Sequence, residues 1–191
     1  MPYGPFSDLA KFQNFFNDTF VHDPCSTLYA IIDKTRLQGE EPEIRCDPSP
    51  SSFAGSIGLL NASPKNRSVE IGHILILPPF QRTHVAVNAT GLLLAYGLDR
   101  PDEGGLGLRR VQWQAHAANA RSIGSAQGIG FKLEGYMRWQ RVLEAGKEGG
   151  EREEDGHGPG RSSAMLAICW DDWELGRLKE AVQERMLLRT N

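Results

Sequence analysis

Cysteine is scarce. Cys25, Cys46 and Cys169 are odd in number and widely spaced along 191 residues, which fits neither a disulfide framework nor the paired ligands of a zinc site. A reducing compartment, read as the cytoplasm, is the simplest setting. Basic runs are lacking too. Lys and Arg total 21 against 24 Asp and Glu, a formal charge of -3, and no basic cluster exceeds pairs such as Arg109-Arg110, which argues against nucleic acid as a partner. No segment reaches the apolar length needed to cross a membrane, and the opening Met1-Pro2-Tyr3-Gly4-Pro5 has no basic region followed by an apolar one. The chain reads as soluble and intracellular.

What is present suits one compact domain over residues 1–191, with 40% hydrophobic and 24% charged content, enough to bury a core. Apolar spacing predicts an amphipathic helix from Ser7 to Phe20 with Ser7 as N-cap. Strands are expected at Thr27–Ile32, Phe53–Leu60 and Val69–Leu77, the last two an antiparallel pair, with a mobile loop over Gly39–Ser52. Pro78-Pro79 stops the third strand, and a helical stripe follows through Val85, Ala89, Leu92, Leu93 and Tyr96. Arg110–His116 alternates as a strand, a short helix runs from Asn119 to about Gln127, and Gly128 and Gly130 end it. Phe131–Leu143 and Ser163–Trp170 are strands around a polar, Gly-rich stretch, 144–160, expected as a flexible hairpin tip. Asp171 or Asp172 caps a final helix with Leu175, Leu178, Val182 and Met186 on one stripe.

Four local signals occur in order: Val69-Glu70-Ile71-Gly72-His73, Gln81 to Ala86, Asn119-Ala120-Arg121-Ser122, and Gly130-Phe131-Lys132-Leu133-Glu134-Gly135. Together they resemble the core of a GNAT N-acetyltransferase, in the RimJ/RimL-like branch that acetylates ribosomal-protein N-termini. The first is similar to the family's fourth strand, and the second resembles its Q/R-x-x-G-x-G/A pyrophosphate loop, with His84 where the pattern has a glycine. The similarity extends more diffusely from Pro2 to Trp173. It implies an α+β acyl-CoA N-acyltransferase fold, a central mixed and mostly antiparallel sheet flanked by helices. The strands before and after the Val85 helix would be parallel and splayed to admit pantetheine. The family's first strand and first helix have no counterpart ahead of Pro2, so the resemblance implies an amino-terminally truncated form.

The implied activity is transfer of an acetyl group from acetyl-CoA to a primary amine, either a small molecule or a protein N-terminus, by direct attack. By resemblance, the backbone of Gln81, Arg82, Thr83, His84, Val85 and Ala86 would hold the pyrophosphate, with charge added by the Arg82 side chain, and the strand end near Leu77 would pair with pantetheine. A loop opening a helix suits that task, because its free N–H groups point at an anion with the helix dipole behind them. Asn119 and Ser122 resemble positions contacting the pantetheine arm or thiol; helix capping is the alternative for Asn119. Glu70 is the candidate general base, acting directly or through water, or else a strand carboxylate paired with a cation or facing solvent. His73 and His116 could titrate near neutrality, but a lone strand histidine is more often structural. Where relatives carry a tyrosine acid this chain has Ala126, the nearest tyrosine in sequence being Tyr136. Trp139, Trp170 and Trp173 read as packing residues and Cys169 as an inert one. Two other readings stay open: a weak or inactive acetyl-CoA-binding relative, and an interaction module or homodimer in which a second copy covers an exposed sheet edge.

Overall fold

The computed structural model describes residues 6–36, 51–144, 146–147, 149–150 and 158–188. They fall into two compact units, Cys25–Val111 with Cys169–Asn191, and Met1–Pro24 with Gln112–Ile168. The expected loop over Gly39–Ser52 lies almost wholly outside the described residues.

In the first unit, β1 (Thr27–Ile32), β2 (Phe53–Ser63) and β3 (Ser68–Ile76) form consecutive antiparallel pairs. Their apolar side chains, among them Ile31, Ala54, Ile57, Leu59, Val69 and Ile71, are buried, which is what holds the register against slippage. Three irregularities interrupt it. Gly55 adopts φ +144°, and a Cβ there would lie 1.8 Å from the Leu75 carbonyl oxygen, so only glycine fits. Register shifts between Leu60 and Ser63, and between Ser56 and Gly58, leave Asn61 (φ +52°) and His73 (φ +48°) as extra residues in β2 and β3. Such bulges bend a strand and re-aim side chains.

A 3-10 turn, Pro78–Phe80, follows β3, and then comes α2 (Val85–Leu98), taking as α1 the helix Leu9–Phe16 of the other unit. Gly91 of α2 lets the C-terminal helix approach: a Cβ there would meet Met186 Sδ at 2.4 Å and Val182 Cγ1 at 3.2 Å. The single final helix expected from sequence is two helices. α4 (Trp170–Glu174) is separated from α5 (Leu178–Leu188) by Gly176 and by Arg177 at φ +59°. The Gly176 N–H closes the first helix by donating to the Asp171 carbonyl at 2.8 Å, and the left-handed Arg177 then turns the chain away. Leu175 is therefore exposed rather than part of the stripe. The N-cap is Cys169, and Asp172 acts from inside the first turn, its carboxylate accepting from the Cys169 N–H at 3.1 Å.

In the second unit, β4 (Arg110–His116, entering from the first unit), β6 (Gly160–Cys169) and β5 (Lys132–Val142) neighbour one another in that order. β5 pairs antiparallel with β6, and its register shifts between Leu133 and Gly135 and between Met137 and Arg141, where Trp139 sits at φ +52°. The Gly150 and Gly160 backbones exchange hydrogen bonds; most of the expected hairpin tip, 144–160, lies outside the described residues. α1 begins one residue later than expected, with Asp8 as the cap. Its carboxylate accepts from the Lys11 N–H at 2.9 Å while Ser7 donates to it at 2.8 Å, because a carboxylate competes better than a hydroxyl for the dipole's positive end. The helix continues into a π turn, Asn17–Val21. α3 (Ala120–Ile129) runs through Gly128 to Ile129, two residues beyond the expected end near Gln127, and ends at Gly130 with φ +126°.

Trp173, 1% exposed, donates from Nε1 to Asp99 Oδ1 at 2.7 Å, while Lys179 reaches Asp99 at 3.1 Å and Glu103 at 2.8 Å. These contacts tie the end of α2 to the C-terminal helices. Trp173→Phe should lose both part of the buried ring volume and a buried donor to a charged acceptor, lowering stability in urea unfolding by about 2–4 kcal/mol. Lys179→Met, altering a more exposed ion pair, should cost less than about 1 kcal/mol.

Candidate functional site

The turn from β3 into α2 is built from short-range constraints. Leu77 is extended, its N–H donating to the Ala54 carbonyl at 2.9 Å and its carbonyl accepting from Phe80 N–H at 2.9 Å. Both of its backbone groups are thus used within the protein, which leaves a second carbonyl lone pair and the half-buried side chain. Gln81 folds back, Nε2 donating to the Ile76 carbonyl at 2.9 Å. Thr83 does the capping: its hydroxyl donates to the Phe80 carbonyl and accepts from the Val85 N–H at 3.3 Å.

Glycine's conformational freedom is needed at Arg82, not at His84. His84 has helical angles, φ -63° and ψ -24°, whereas Arg82 takes φ +64°. A side chain at 84 is therefore compatible with the turn, and a left-handed arginine carries the strain, of about 1–2 kcal/mol. Among the described residues, the backbone N–H groups of Arg82, Thr83, His84 and Ala86 donate to no protein acceptor. They lie at the start of α2, where the helix dipole is positive. A diphosphate's oxygens fit such a donor set.

His84 is not isolated. Its Nε2 lies 3.3 Å from Asp33 Oδ1, and Asp33, 5% exposed, also accepts from the Thr35 N–H at 3.0 Å and hydroxyl at 2.7 Å. Burial pushes the Asp33 carboxyl up, but the hydrogen bonds from Thr35 and the His84 ring outweigh it and hold the group below the usual carboxylate range. Asp33 was not among the residues expected from sequence, and only its place just after β1 could have hinted at it.

Glu70 is buried at 4% exposure on β3, and its Oε2 accepts from Asn61 Nδ2 at 3.0 Å. The bulge at Asn61 turns an amide donor onto the facing strand, a second contributor that sequence alone did not single out. Oε1 lies 3.5 Å from where a Cβ on Gly72 would be, so glycine there leaves that flank of the carboxylate uncrowded. His73 is half-buried at the bulge.

In the other unit, Asn119 caps α3, its Oδ1 accepting from the Ser122 N–H at 3.0 Å, so its Nδ2 is the group left to donate. Ser122 Oγ accepts from Trp113 Nε1 at 3.0 Å, which leaves the hydroxyl proton free to point elsewhere. His116 Nδ1 accepts from the Ala118 N–H at 3.0 Å, a turn-closing role. Ala126 is fully buried and Tyr136 is 55% exposed on β5. Trp139 and Trp170 are exposed and Trp173 is core. Burial raises the Cys169 thiol, consistent with an inert side chain.

The chain matches the model of the acetyltransferase (GNAT) domain over residues 4–132. No curated protein matches it. Among solved structures it is similar to a GCN5-related N-acetyltransferase from Brucella melitensis, at 25% identity and a TM-score of 0.72, covering 97% of this chain and 68% of that one. A probable acetyltransferase of the GNAT family from Chromobacterium violaceum gives 25% identity and 0.68, over 91% of this chain and 71% of that one. The fold extends to a spermidine/spermine N-acetyltransferase from Vibrio cholerae, at 15% identity and 0.58, over 93% and 83%. The fold class is therefore α+β with a mixed sheet flanked by helices, as expected. With the family model matched across most of its length, the chain belongs to the GNAT acetyltransferase domain family and is an acyltransferase.

Proposed function

We propose that this chain acetylates a primary amine, a small molecule or a protein N-terminus as in the RimJ/RimL-like branch, using acetyl-CoA. The observation that carries the reading is the row of unpartnered N–H groups at Arg82, Thr83, His84 and Ala86, at the start of a helix that directly follows a strand. When bound, acetyl-CoA supplies an acetyl thioester whose thiolate leaves readily near neutral pH. The loop from Gln81 to Ala86 binds the pyrophosphate, with the exposed Arg82 guanidinium adding charge, while Leu77 offers its side chain and remaining lone pair to the pantetheine arm. Asn119 Nδ2 and the Ser122 hydroxyl are assigned to the pantetheine or thiol end on the family resemblance. Much of the rate then comes from proximity.

Glu70 takes the proton that the acceptor amine must lose. Its hydrogen bond from Asn61 holds the carboxylate in place. A second reading, an acetyl-CoA-binding relative with weak or no turnover, is favoured by the fully buried Ala126 where relatives carry a tyrosine acid.

Calorimetry should give saturable coenzyme A binding, weakened about fivefold in Arg82→Ala, the equivalent of about 1 kcal/mol; no binding by a folded wild type would remove the acetyl-CoA reading. In an amine-acetylation assay, Glu70→Gln should lower kcat by about 10² or more with coenzyme A affinity unchanged. Binding without turnover on any amine would favour the inactive relative.

A further inference from the structure

The loop between β3 and α2 has two shoulders, and both lead to one carboxylate. On the entry side, the Arg36 guanidinium lies 4.1 Å over the ring of buried Phe80, and its Nη2 donates to the Pro79 carbonyl at 3.1 Å. Arg36 Nε is 3.5 Å from Asp33 Oδ2. On the exit side, His84, the residue just ahead of α2, places Nε2 at 3.3 Å from Asp33 Oδ1. Thr35 fixes the carboxylate itself through its N–H and hydroxyl, at 3.0 and 2.7 Å. The two oxygens of Asp33 thus hold opposite ends of the segment Gln81–Thr83.

We propose that Asp33 is a positioning residue that sets the spacing between these shoulders, and so the direction of the N–H groups of Arg82, Thr83 and His84. A carboxylate as buried as this one is costly unless well paired, and its pairs here go to the flanks of the loop. The segment it spans includes Arg82 in the left-handed region, a conformation that persists only where its surroundings enforce it. Tying the imidazole to the end of β1 is also how a side chain is accommodated at position 84, where the loop pattern has glycine. The consequence for ligand affinity rests on the acetyl-CoA reading; the mechanical role does not. An anion site whose donors are held in place before binding spends less of its interaction energy on ordering.

The test uses the full chain, with ¹⁵N order parameters of the 82–84 amides measured without ligand and coenzyme A binding measured on the same variants. In the wild type these amides should behave as rigid backbone, near 0.85, and fall below about 0.6 in Asp33→Asn. Coenzyme A affinity should fall about tenfold. The imidazole ¹⁵N signals of His84 should shift in Asp33→Asn while those of His22 and His116 stay, a signature that general destabilisation would not give. Arg36→Ala and His84→Ala cut one shoulder each at less buried positions, and carry the same test if Asp33→Asn does not fold. Unchanged order parameters in all variants overturn the clamp. A loosened loop with unchanged coenzyme A affinity overturns its role in binding. A loosened loop in a chain whose wild type binds no coenzyme A leaves the clamp standing and removes the acetyl-CoA reading.

Discussion

A chain that leaves a strand at Ile76 and enters a helix at Val85 must account for every peptide group in between. Here the account is deliberately one-sided. Carbonyls of Ile76, Leu77, Pro78 and Phe80 are taken by Gln81, Phe80, Gln81 and Thr83, while successive N–H groups at the start of α2 keep no protein acceptor. Unpaired donors are tolerable only where water or a ligand can reach them. Much of the surrounding unit serves to hold that imbalance: the sheet fixes Ile76, Phe80 is buried beneath the turn, and Gly91 seats α2 closely against α5.

The sheet irregularities follow the same logic. Asn61 and His73 are extra residues in facing strands, and each lies near Glu70 in sequence or register. A regular ladder would send alternate side chains to fixed faces. One inserted residue lets Asn61 approach Glu70 across the strand pair and gives a buried carboxylate a neutral donor.

Most of the fold was legible because burial writes a period into the sequence. β1 and β4 match their expected bounds, β4 because its residues alternate and β1 because polar Ser26 and Asp33 flank an apolar run, and α2 follows from its apolar stripe after Pro78-Pro79. The misreadings share a cause: backbone choices that leave no periodic trace. Arg177 in the left-handed region splits the last helix, and Asp8 displaces Ser7 as cap, each decided by a single torsion or hydrogen bond. The candidate site is legible only as far as local motifs reach. Glu70 and the residues 81–86 are contiguous patterns, whereas Asp33, Arg36 and Asn61 matter through contacts across many residues of sequence, such as the one from Arg36 to Pro79. Where the loop's positive φ falls is invisible in sequence; it falls on Arg82, so the side chain at His84, where the pattern has glycine, meets no conformational obstacle.

β5 ends the row of strands in its unit, and its exposed Leu133, Tyr136, Met137, Trp139 and Val142 would ordinarily invite edge-to-edge self-association. Its two register breaks, at Gly135 and around Trp139, interrupt the outward row of backbone groups, so an incoming extended segment finds only short lengths to zip onto. The exposed edge of β5 is therefore a poor template for extending the sheet.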